Sequence, residues 1–136
     1  GTLFIKRGTD GAEREARQEM LRNLDAGQHI LIFPEGTTSD GTRVKRFLPR
    51  LFAVAIEQET HVQPVAIRYS NLHGEPSQAV PFINNAHFLQ NLWKVLGEPG
   101  IRADIYFLPP ITETSQLQRK ALAEETRNLI SNTLAL

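Results

Sequence analysis

Residues 30–41 read Ile-Leu-Ile-Phe-Pro-Glu-Gly-Thr-Thr-Ser-Asp-Gly, an apolar run that stops at Pro34 and gives way to Glu35, Gly36 and the hydroxyls of Thr37, Thr38 and Ser39. Four consecutive apolar residues bounded by breakers are the pattern of a core strand, and polar residues at its end are delivered to a rim. Arg43, Lys45, Arg46 and Arg50 follow, offset locally by Asp40, so the rim suits an anionic ligand.

Upstream, Leu3, Phe4 and Ile5 form a short apolar run ended by Lys6, Arg7 and Gly8. Asp10 and Glu13 have the spacing of a capping box, and Ala12, Ala16, Met20, Leu21 and Leu24 recur at helical spacing up to a stop at Gly27. Downstream, Pro49 suits the first position of a helix whose buried face is Leu48, Phe52, Ala55 and Ile56. Residues 62–69 read as a strand, with Pro64 marking its edge or start. A long excursion over residues 70–85 carries Gly74, Pro76 and Pro81. Phe88, Leu89, Leu92, Trp93 and Leu96 share one helical face, read as core, with a membrane or acyl-chain surface as the alternative. Residues 103–108 form a strand ended by Pro109 and Pro110; Leu117, Ala121, Leu122, Leu129, Ile130 and Leu134 then predict a C-terminal helix capped near Thr114 or Ser115. This alternation predicts an α/β fold with a mixed, mostly parallel sheet flanked by helices, in a single domain over residues 1–136.

The 136 residues carry 15 basic and 15 acidic side chains, so charge-driven binding of nucleic acid is not expected. Cysteine is absent, which removes thiolate nucleophiles and cysteine metal sites. No run approaches the roughly 18 to 20 apolar residues of a membrane span, and no signal-peptide pattern opens the chain, so it reads as soluble. His29, His61, His73 and His87 are scattered over different elements, so no metal site is expected. Gly36 and Gly41 have P-loop spacing, but Thr42 and Arg43 stand where that motif needs lysine and then serine or threonine.

Ligands of open α/β sheets gather beyond the carboxyl ends of strands, and a right-handed crossover would bring Lys6 and Arg7 to the same edge as Glu35. There an arginine holds a phosphate through two parallel hydrogen bonds. Glu35 accepts from a substrate hydroxyl or orients Arg7, Gly36 permits close backbone approach, and the amides of Thr37 and Thr38 donate to phosphate oxygens. The plainer readings are a simple turn at Pro34-Glu35-Gly36-Thr37, a solvated Arg7 and a solvated basic face from Arg43 to Arg50.

Three blocks in this order resemble the glycerolipid acyltransferase family, of the 1-acylglycerol-3-phosphate acyltransferase type. Gly1-Thr2-Leu3-Phe4-Ile5-Lys6-Arg7 is similar to its second motif, Phe33-Pro34-Glu35-Gly36-Thr37 to its third and Val62-Gln63-Pro64-Val65-Ala66-Ile67 to its fourth. The resemblance implies transfer of a fatty acyl group from an acyl-CoA or acyl carrier protein thioester, with no other cofactor, to a lysophospholipid hydroxyl. It implies an acceptor site at Arg7, Glu35 and Gly36, with Arg7 on the phosphate. Many members place arginine where this chain has Thr38, a charge that Arg43 or Lys45 would supply here.

The family's catalytic motif is a histidine followed five residues later by an aspartate, which holds the imidazole for general-base work. Five residues after the four histidines stand Pro34, Ala66, Gln78 and Leu92, so the chain as written carries no catalytic residue. The motif is expected upstream of Gly1, in a parent protein associated with the cytoplasmic face of a membrane. The alternative is a non-catalytic lipid- or phosphate-binding module of the same fold.

Overall fold

A computed structural model describes residues 12–77, 79–81 and 88–136. The run at residues 3–5, the cap at Asp10, and the basic pair Lys6 and Arg7 lie outside the described residues, as does His87.

Helix α1 (Ala12–Asp25) ends as its sequence predicts. The amide of Gly27 donates to Leu24 O and that of Gln28 to Asn23 O, with Gly27 at φ +72°. These bonds satisfy carbonyls that the last turn would otherwise leave open, in a backbone conformation that costs glycine nothing. Residues 28–48 then run without helix or strand. Pro49 does begin the next helical segment, a 3-10 turn (Pro49–Phe52) that passes directly into α2 (Ala53–Glu57). Arg17 of α1 forms an ion pair with Glu57 of α2 across the surface.

Strands β1 (Val65–Asn71) and β2 (Ile101–Phe107) pair antiparallel, from Val65 opposite Phe107 to Asn71 opposite Ile101. The pairing extends past the strand ends: Leu108 donates to Pro64 O at 3.1 Å, and Val62 and Ile111 exchange bonds of 3.0 and 2.9 Å. Between the strands, α3 (Phe88–Gly97) lies on the excursion that returns the chain to the end of β1 where it left. A 3-10 turn (Thr114–Gln116) precedes α4 (Arg119–Leu134).

The expectation of a mostly parallel sheet is therefore corrected: the sheet among the described residues has two strands and is antiparallel. Alternation of apolar runs with helices suggested parallel crossovers, but a strand exists only through its partners. The run at residues 30–33 is in no ladder among the described residues, and Leu31 and Phe33 are 76% and 71% exposed.

The core lies between the basic loop's end, α2 and α4. Val44, Phe47, Phe52, Ile111, Leu122 and Ala123 are buried together, with Leu51, Ile56, Leu117, Leu129 and Ile130 packed against them. Phe47 and Phe52 stack with ring centroids 6.2 Å apart and planes 15° from parallel. Thr114, expected to cap α4, is instead fully buried, its hydroxyl 2.9 Å from Thr60 O and 3.3 Å from Ala55 O. A buried hydroxyl needs such a partner, and this one ties the α2 end to the chain before α4. Gln118 occupies the N-cap of α4 without a side-chain bond, and Ala121, expected on the buried face, is exposed while Ala123 is buried. Helix α3, read as core-facing, buries none of its residues; Phe88, Leu89, Trp93 and Leu96 are each more than half exposed.

Candidate functional site

The segment 34–48 is a closed loop, pinned at its neck and along its length. Pro34 O accepts the amide hydrogen of Leu48 at 2.8 Å, which shuts the neck, and Phe33 O accepts that of Gly36 at 3.1 Å. Gly36 sits at φ +65°, and a Cβ added there would lie 2.8 Å from Leu48 Cδ1. The left-handed backbone is what calls for glycine here, and a side chain would in addition have to displace the Leu48 methyl.

Glu35 reaches across the loop. Its Oε2 accepts the amide hydrogen of Lys45 at 3.0 Å, while Lys45 Nζ donates back to Thr38 O at 2.8 Å. At the tip, Asp40 Oδ1 accepts from the Thr42 hydroxyl at 2.7 Å and the Thr42 amide at 3.0 Å, and Gly41 donates to Ser39 Oγ at 3.3 Å. The Thr42 hydroxyl, then its amide, hold the Asp40 carboxyl below its usual pKa, because both bonds favour the charged form; Arg43 adds to the effect. Val44 and Phe47 drop into the core, so the cations around them are fixed at their backbones while Arg43 and Arg46 project into solvent.

The underside of the loop is held by Arg127 of α4, a residue the sequence reading passed over. Its Nε lies 3.1 Å from Val44 O and 3.2 Å from Lys45 O, and its Nη2 lies 2.9 Å from Val44 O. The only available sequence signal was its position, four residues after the buried Ala123 and three before Ile130, at the margin of the apolar stripe. Beside this clamp an open groove of about 410 Å³ runs between Arg46, Phe47 and Pro49 on one wall and Lys120, Glu124 and Arg127 on the other. Its cations outnumber its acid, a second anion-suited surface continuous with the loop.

Of the residues singled out from sequence, the structure brings Glu35, Thr38 and Lys45 into one hydrogen-bonded unit, with Gly36 in the turn beside it, bonded to Phe33 O. Thr37 is exposed beside it, and Arg43 stands at the tip, next to Asp40 and Thr42. Arg7 lies outside the described residues. Glu35 is not a lone carboxylate offered to a substrate: one of its oxygens is committed to the loop's own backbone. His29, His61 and His73 are exposed, and no cluster of three metal-ligating side chains occurs among the described residues.

A family model described as Acyltransferase matches residues 1–68, which include the whole of this loop. The chain belongs to the acyltransferase family. This acyltransferase chain is 40% identical over 131 residues to the lyso-ornithine lipid O-acyltransferase of Pseudomonas aeruginosa, covering 96% of this chain and 49% of that protein. It is 33% identical over 141 residues to the Brucella abortus protein of the same description, covering 95% and 53%. To the human lysophospholipid acyltransferase LPCAT4 it is 30% identical over 110 residues, covering 79% and 20%. The acyltransferase chain spans about half the length of the bacterial relatives it matches. No solved structure matches it.

Proposed function

We propose that the protein to which this chain belongs transfers a fatty acyl group from a thioester donor, acyl-CoA or acyl carrier protein, to the free hydroxyl of a lysolipid, and that segment 34–48 holds the acceptor's head group. The acceptor oxygen attacks the thioester carbonyl carbon, the C–S bond breaks, and the hydroxyl proton passes through a base to the departing thiol. That base is the histidine of the family's first motif, upstream of Gly1. The observation that carries the reading is the cross-braced loop: a family-matched Pro-Glu-Gly-Thr turn whose carboxylate is spent on fixing a loop that displays cations. A loop fixed before binding loses less entropy when a charged head group docks on it.

The names of the relatives support a lysolipid acceptor, and two kinds appear among them, lyso-ornithine lipid and lysophospholipid. Lysophosphatidic acid remains the acceptor proposed from the resemblance, with Arg7 as its phosphate contact and Arg43 and Lys45 as the neighbouring charges. Among the described residues no helix is long and apolar enough to cross a membrane. We place the protein at the cytoplasmic face of a membrane on the strength of Arg43, Arg46 and Arg50, each worth on the order of 1 kcal/mol near an anionic surface.

The test is an acyl-transfer assay on the complete protein, with lysophosphatidic acid and lyso-ornithine lipid as acceptors and acyl-CoA and acyl carrier protein as donors. Product from at least one pairing is expected, and Arg7→Ala should raise KM for lysophosphatidic acid. Absence of acyl transfer, with retained binding of the lysolipid, would establish the non-catalytic lipid-binding module instead.

A further inference from the structure

One peptide group stands between two opposite charges. The carbonyl oxygen of Val44 and the amide hydrogen of Lys45 belong to the same peptide unit. Arg127 donates to that oxygen from both Nε and Nη2, and Glu35 Oε2 accepts that hydrogen at 3.0 Å. The guanidinium draws electron density toward the oxygen and the carboxylate favours a more acidic N–H, so each bond strengthens the other. Arg127 pairs with no carboxylate among the described residues; its partners there are backbone carbonyls and the Asn128 amide oxygen. Its charge therefore reaches Glu35 through the peptide and not through a competing ion pair.

We infer that Arg127 is a positioning residue for acyl transfer: through the Val44–Lys45 peptide it fixes Glu35 and the head-group loop from the α4 side. The inference rests on the acceptor-site reading of segment 34–48. A single fork of guanidinium donors serves both Val44 O and Lys45 O, which a lysine ammonium on its flexible stem does not reproduce. Lysine keeps the charge, so the pair of variants Arg127→Lys and Arg127→Met separates the fork from its electrostatics.

The experiment follows backbone amide hydrogen exchange and acceptor kinetics in the complete protein. In Arg127→Met, exchange should quicken across residues 35–47 while β1 and β2 keep their protection, and acceptor KM should rise about tenfold, the low end for losing a hydrogen bond to a charged group. Donor KM should not move, whereas a general loss of folded protein would lower the apparent kcat and leave both KM values alone. Arg127→Lys should fall between wild type and Arg127→Met in both readouts. Wild-type exchange in Arg127→Met overturns the inference, and so does wild-type behaviour in Arg127→Lys, which would reduce Arg127 to a charge. Faster loop exchange with an unchanged acceptor KM keeps the clamp and overturns the acceptor-site reading on which it rests.

Discussion

The loop 34–48 and the β1–β2 ribbon with α3 are built on opposite terms. Beneath the loop, Val44, Phe47, Phe52 and Leu122 are nearly solvent-free, and every turn of the polar chain above is fastened to that floor or to itself. On the ribbon, Val65, Ile67, Tyr69, Ala103, Ile105 and Phe107 share one face by register, yet Ile67, Tyr69, Ile105 and Phe107 are substantially exposed, as are Leu31, Phe33 and the apolar face of α3. The comparison teaches that the site's shape depends on one covered core and is indifferent to the open apolar faces. Stability and site geometry should accordingly respond to substitutions on one side of the molecule and not on the other.

The largest response is expected in the floor. Leu122→Ala removes a side chain with no exposure and should cost about 3 to 5 kcal/mol in denaturant unfolding. A cost near that of a surface change would mean that the floor collapses without penalty. Next comes Gly36→Ala, which combines a left-handed φ with a Cβ 2.8 Å from Leu48 Cδ1. It should cost about 1 to 3 kcal/mol and weaken acceptor binding beyond its effect on stability. A wild-type KM in that variant would remove the neck of the loop from the site. On the other side of the comparison, Trp93→Ala on α3, a residue 72% exposed, should stay within about 0.5 kcal/mol of wild type in the described chain. A loss of several kcal/mol would show that the α3 face is covered.

The smallest response is a pH effect at the loop tip. Thr42 lowers the folded-state pKa of Asp40, so the tip is stabilised above the unfolded carboxyl's pKa and loses that contribution as pH falls through the lowered folded value. Two-dimensional NMR of the Asp40 carboxyl should show a midpoint below that of a free aspartate, and Thr42→Ala should move it upward. An unmoved midpoint would contradict the Thr42 hydroxyl as the leading cause, since alanine keeps the amide donor.

How much of this was legible in the sequence follows the same division. The stop at Gly27, the helix start at Pro49, the two paired strands and α4 rest on local chemistry, on left-handed glycine, fixed proline and periodic apolar residues, and each was readable. Strand direction was not, because antiparallel pairing of β1 with β2 depends on where the excursion through α3 returns, a tertiary fact. Apolar periodicity likewise marked α3 and residues 30–33 as buried, since a pattern records what a face is fit to cover and not whether a neighbour is there. At the site, the family-like blocks located Glu35 and Gly36, but the internal use of Glu35 was invisible: its partner is a backbone amide, which carries no residue identity. Arg127 was missed for the same reason, as its acceptors are carbonyls 82 and 83 residues away.

A double-mutant cycle between Glu35→Gln and Arg127→Met, read as acceptor kcat/KM in the complete protein, probes the shared peptide most directly. If one peptide carries both interactions, the second substitution adds little to the first, and the double variant is no worse than about the weaker of the two single variants. Losses that multiply would show that Glu35 and Arg127 act independently, and would contradict the loop's being held by a single brace.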